Sequence, residues 1–181
     1  MILLILGVAL WALAHFFKRL APERRAAMGD TGRGLVAGLV LLSVVLMVWG
    51  YRTAEVTNLW APPAFLTHLN NLLMILAFYL YAASASKIWI ATKIRHPQLT
   101  AVKIWAVSHL MVNGDLASII LFGGLLAWAV VSVILINRAQ PGWIPPKQAP
   151  ARKEVTSVVI TLIVVGVVMA IHNWLGVQPW G

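Results

Sequence analysis

The stretch KRLAPERRAAMGDTGR (residues 18–33), followed by GLVAGLVLLSVVLMVWGY (residues 34–51), decides the fold class. A segment with five basic and two acidic residues gives way to an 18-residue run without a charged side chain. A helix rises about 1.5 Å per residue, so a run of this length nearly crosses the roughly 30 Å hydrocarbon core of a bilayer. The same alternation recurs along the chain. Lys87–Gln98 carries three basic residues, and Arg138–Glu154 carries four basic and one acidic. Each of these three segments nets +3, whereas the remaining long connection, Arg52–Ala64, nets zero. Connections flanking membrane spans keep Lys and Arg on the cytoplasmic side. The three basic segments are therefore expected on one face and the neutral one on the other.

Composition agrees with the bilayer as solvent. Apolar residues make up 61% and charged residues 10%, with a mean hydropathy of +0.86, against about 25% charged in an ordinary soluble domain. A net charge of +9 would suggest nucleic acid in a soluble protein, but here the cations flank apolar spans without interleaved aromatics. The topology rule accounts for them, and no nucleic-acid partner is expected. The absence of cysteine excludes disulfides, thiolate metal sites and cysteine nucleophiles.

The apolar runs predict a six-helix, all-α transmembrane bundle forming a single unit over residues 1–181. Its spans are Ile2–Phe17, Gly34–Tyr51, Phe65–Ser86, Leu99–Asn113, Leu116–Ile136 and Val155–Trp174. Ile2–Leu13 is not a signal peptide by pattern, because positive charge follows it rather than preceding it. An even count leaves both termini on the outer face. Asn113-Gly114-Asp115 reads as a tight turn making spans four and five an antiparallel hairpin. Gly34 and Gly38 have the small-xxx-small spacing of close helix packing. Gly29–Gly34 lacks the preceding strand and Lys-Ser/Thr of a phosphate loop and reads as a simple loop. Four prolines between Gln140 and Ala151 forbid a continuous helix there. Trp11, Trp49, Trp60, Trp89, Trp143, Trp174 and Trp180 are placed near span ends, at headgroup level.

Polar groups inside spans are costly, so they form the candidate site: His15, His68, Asn70, Asn71, Lys103, Ser108, His109, Asn113 and His172. Lys103 is close enough to the cytoplasmic end to snorkel. His96, just before Pro97 at the cytoplasmic surface, also fits a solvated cap. Trp105, His109 and Asn113 recur every four residues and share a helix face, with Ala106 leaving space beside them. His68 with Asn71, and Met169 with His172, share faces at i, i+3. Spacing alone fits either hydrogen-bonded glue between helices or axial imidazoles for haem b in a dry pocket. Zinc needs three or four converging ligands, and only Asp115 is nearby. No carboxylate is placed to complete a Ser-His-Asp set.

Ala14-His15, His68, Arg95-His96-Pro97-Gln98-Leu99, Trp105 to Leu110 with Asn113-Gly114-Asp115, and His172 ahead of Leu175-Gly176 together resemble the NnrU family over nearly the whole chain. The resemblance implies a bacterial inner-membrane protein associated with nitrite and nitric oxide metabolism, that is, with denitrification. The family is in turn similar to the plant zeta-carotene isomerase, a haem b membrane enzyme. That similarity implies haem-iron ligands at His15 and His109, but Ala106 stands where the isomerase has a cysteine. Arg95-His96-Pro97 is also similar to a cofactor-holding element of membrane methyltransferases, whose acidic motif is absent after Gln140.

Depth sets a conflict. His15 falls near the cytoplasmic end of its span and His109 near the outer turn, roughly 10 to 15 Å apart in depth. His68 and His172 are therefore competing partners for His109. Three functions stay open: a haem-associated accessory protein of nitrogen-oxide metabolism, an isomerase acting on a lipid-soluble polyene or isoprenoid, and a transporter or assembly factor with structural histidines.

Overall fold

The computed structural model describes residues 1–179; Trp180, expected at a span end, lies outside them. The described chain is helical, with no β-strand and a single isolated bridge between Asn58 and Asp115. Its helices are α1 (Ile2–Leu20), α2 (Pro22–Ala27), α3 (Gly29–Arg52), α4 (Leu66–Ser86), α5 (Pro97–Val112), α6 (Leu116–Ala139) and α7 (Ala151–Trp174). A 3-10 turn covers Trp89–Thr92. Five of these helices, α1, α3, α4, α6 and α7, are long and apolar enough to cross a membrane. The chain is a multi-pass membrane protein. The expected fourth span is α5, whose 16 residues reach only about 24 Å at the helical rise.

The helices overrun their apolar sequences into the basic segments. α1 takes in Lys18 and Arg19 as its last turn, and α6 takes in Arg138. Long cationic side chains can leave a helix end for the headgroups without breaking the backbone ladder. Gly29–Gly34, read as a loop, is the first turn and a half of α3. The proline-rich residues 140–150 contain no helix, as their missing N–H groups require.

Two compact units are present. The first comprises residues 1–61 and 114–128, in which α1 packs along α3. Here the backbones meet at glycines: a Cβ on Gly7 would come within 2.7 Å of Met47 N, and one on Gly50 would collide with the backbone of Leu3 and Leu4. α6 joins α1 at Gly124, where a Cβ would lie 2.5 Å from Val8 Cγ1. Close approach of small residues is the usual substitute for hydrophobic drive between helices in lipid. Gly34 and Gly38 do not serve it, since an added Cβ at either meets no atom within 4 Å.

The same unit ties down the connection after α3. Leu59 and Trp60 N–H both donate to Gly114 O (2.7 and 3.2 Å), and Leu116 N–H donates to Thr57 O (2.9 Å). Asp115 caps α6, accepting from Ser118 N (2.9 Å) and Ser118 Oγ (2.6 Å), and Tyr51 OH lies 2.8 Å from that Oγ. A π-helical turn follows at Ile119–Gly123.

The second unit comprises residues 62–113 and 129–179, with α4 packed on α5 and on α7. α5 takes α4 as its main partner, and the start of α6 packs on α1. Gly114–Leu116 is pinned to residues 57–60, which places the turn after Asn113 in the first unit. Glu154 holds the start of α7 to the linker after α4, accepting from Trp89 N at 2.6 Å and Tyr79 OH at 3.5 Å. Arg95 Nη2 donates to Gln140 O, and Ala149 N–H donates to Lys87 O (3.0 Å).

Gly50→Ala is expected to destabilise the fold by about 1–3 kcal/mol, because backbone atoms cannot step aside. Gly38→Ala should be neutral or slightly stabilising through helix propensity. Thermal unfolding in detergent compares the two, and equal effects would contradict the α1–α3 packing.

Candidate functional site

The five histidines separate by which ring nitrogen is engaged. His15 Nδ1–H donates to Trp11 O at 2.8 Å, His109 Nδ1–H to Trp105 O at 2.9 Å, and His172 Nδ1–H to Val168 O at 2.8 Å. A carbonyl only accepts, so each of these rings carries a proton on Nδ1. His96 does the reverse. Its Nε2 lies 2.8 Å from Asn137 Oδ1 and donates to it, so His96 is bound to the end of α6 rather than being a solvated cap. His68 is exposed at the start of α4.

Metal-ligating histidines usually donate the other ring N–H to a carbonyl or carboxylate, which fixes the tautomer and raises ligand basicity. His15, His109 and His172 have that arrangement built into one helical turn, since the i−4 carbonyl lies directly below each ring. No group of three or more His, Asp or Glu that could hold a metal ion occurs among the described residues. His68, His109 and His172 are therefore not gathered into such a group.

In the first unit His15 sits in an aromatic cluster. Its ring centroid is 4.3 Å from Trp11 at a 34° tilt and 4.9 Å from Trp128, edge-on at 65°, and the two indoles are 5.3 Å apart at 82°. Trp11 is the tenth residue of α1, so it lies at mid-helix and not at the headgroup level expected from the sequence. The indole N–H groups of Trp11 and Trp128 are buried without a hydrogen-bond partner. A buried donor left so costs about 1–3 kcal/mol, which marks the cluster as more than packing. Helix α1 also continues to Leu20, lengthening the span that carries His15.

In the second unit Trp105 lies 5.2 Å from His109 at a 48° tilt. Asn113 Nδ2 donates to His109 O at 2.8 Å and so closes α5 rather than bonding the ring. Ala106 is fully buried, so the space expected beside it is filled. Ser108 Oγ is buried without a partner. Trp105 also lines a lipid-level groove of about 170 Å³, with Met74, Ala77, Phe78, Tyr81 and Ala101. Asn70 Nδ2 donates to Asn71 Oδ1 at 3.2 Å, so these two bond each other rather than His68.

Trp-Ala-Leu-Ala-His at 11–15 and Trp-Ala-Val-Ser-His at 105–109 are thus the same local device, one in each unit. A family model described as NnrU protein matches residues 3–179. The chain belongs to the NnrU family. No curated protein and no solved structure matches it. The NnrU match spans both units and all five histidines. Sequence reasoning grouped Trp105 with His109 but missed Trp11 and Trp128 as partners of His15. The repeated Trp-Ala-x-x-His pattern was the signal for Trp11; Trp128, 113 residues from His15, left none.

Nitrogen-15 spectra of histidine-labelled protein, assigned by single His→Asn variants, should show Nδ1 protonated at His15, His109 and His172 and Nε2 protonated at His96. An unprotonated Nδ1 at His15 and His109 would contradict this assignment.

Proposed function

We propose that this NnrU-family chain is a haem b-associated accessory protein of nitrite and nitric oxide metabolism in the bacterial cytoplasmic membrane. Its termini and Arg52–Ala64 face outward, and its three basic segments face the cytoplasm. One observation supports the haem assignment most directly: two Trp-Ala-x-x-His turns each hold an imidazole by Nδ1 to the i−4 carbonyl, the orientation that metal-ligating histidines commonly have. This donor set suits b-type haem, which needs imidazole nitrogen and an apolar surround. Each unit offers an imidazole that would hold the iron, His15 in the first and His109 in the second, with His172 a further candidate in the second.

Haem b, when bound, would supply one-electron redox chemistry. The chain's own part is to orient and to exclude water. Trp11 O and Trp105 O fix the imidazole rings, the two indoles beside His15 shield it, and the apolar spans keep the surroundings dry. The nitrogen-oxide context rests on family membership.

The groove beside Trp105 favours a second reading, an isomerase acting on a lipid-soluble polyene or isoprenoid. At about 170 Å³ it is smaller than the roughly 300–1,000 Å³ of a whole-ligand pocket and would take only a segment of such a chain. Ala106 withholds the thiolate that the isomerase has. With no haem at all, the histidines revert to structural elements of a transporter or assembly factor.

Purified protein titrated with haem should develop the Soret band of a b-type centre. His15→Ala and His109→Ala should each weaken binding about tenfold or more, while His68→Ala and His96→Ala should leave it unchanged. Absence of any spectral change in the parent protein would end the haem reading and the haem-dependent isomerase together. Turnover of a polyene by the loaded protein would favour the isomerase.

A further inference from the structure

Where α1 ends and α3 begins, the chain gathers three cations around a cavity. The cavity is an open one of about 300 Å³, lined by Lys18, Pro22, Arg25, Gly29, Asp30 and Arg33. Lys18 lies in the last turn of α1, and Pro22 opens the short α2. Gly29 then turns the chain into α3 with φ +51°, a left-handed conformation that favours glycine.

That turn folds Arg25 back over α3. Its Nη1 donates to Gly29 O at 3.1 Å, and the guanidinium lies against Gly32, where an added Cβ would come within 2.7 Å of Arg25 Nη1. A surface arginine ordinarily extends into water to keep its rotamer freedom. Here Pro22, Gly29 and Gly32 together hold it at the cavity. Arg33 pairs with Asp30 at 2.8 Å, but the two side chains are 79% and 91% exposed, so the pair is weak and open to exchange. Three cations face one carboxylate.

We propose that this cavity binds the phosphate of an anionic phospholipid headgroup, taken from the leaflet that the basic segments face. Basic pockets between spans on the cytoplasmic side suit such headgroups, and guanidinium suits phosphate geometry. Free inorganic phosphate shares that chemistry. The lipid is favoured by position, because the cavity sits at the ends of two apolar spans whose Leu20 and Leu35 remain exposed for acyl chains. None of the histidines lines the cavity, so this inference stands apart from the haem reading.

Full-length protein in detergent is titrated with phosphatidylglycerol, phosphatidylcholine or sodium phosphate, and bound lipid is counted by native mass spectrometry alongside the unfolding temperature. Phosphatidylglycerol should bind and raise that temperature, and phosphatidylcholine should not. Lys18→Gln and Arg25→Gln should each weaken phosphatidylglycerol binding about fivefold, and Gly32→Ala should act in the same direction by displacing Arg25. Arg138→Gln, which removes the same charge from another basic segment, should leave binding intact. Equal losses in Arg25→Gln and Arg138→Gln would overturn the proposal in favour of diffuse attraction. Equal stabilisation by sodium phosphate would overturn the lipid as occupant. Should Gly32→Ala not fold, the charge variants decide.

Discussion

Hydrocarbon tolerates neither an unpaired backbone group nor an unscreened charge, and most of this structure is arranged around that refusal. Backbone groups are satisfied within helices. Charge collects at their ends: Lys18 and Arg19 close α1, Arg52 closes α3, Arg138 lies in the last turn of α6, and Glu154 lies in the first turn of α7. With charge kept to the ends of every spanning helix but α5, which carries Lys103 inside it, the uneven distribution of Lys and Arg among the connections predicts which side each one occupies.

The same constraint shapes the histidines. A neutral imidazole in a dry span must place one N–H, and the nearest acceptor is the carbonyl four residues earlier. His15, His109 and His172 all take it. The tryptophan before His15 and His109 adds an aromatic wall from the same turn.

Much of this was legible in the sequence. Helix positions followed from apolar runs, and the errors lie at their ends, where Lys18, Arg19 and Gly29–Gly34 proved helical because flexible cations and small residues do not stop a helix. The tight turn at Asn113–Asp115 was visible, but not its consequence, since the hydrogen bonds to Thr57, Leu59 and Trp60 join segments more than 50 residues apart. Tyr51 with Ser118, and His15 with Trp128, were hidden for the same reason. Periodicity reports which face of a helix is used but not which partner meets it. Gly34 and Gly38 illustrate this: their spacing is that of a packing motif, yet the contact is made at Gly7 and Gly50.

The threading proposed here can be tested with thiols, because the chain contains no cysteine of its own. Val56, 79% exposed in the neutral connection, and Ile144, 88% exposed in the proline-rich basic segment, are replaced singly by cysteine and treated in intact cells with a membrane-impermeant maleimide. Val56→Cys should react at once, and Ile144→Cys only after the membrane is permeabilised. The reverse order, or immediate reaction at both positions, would contradict the account.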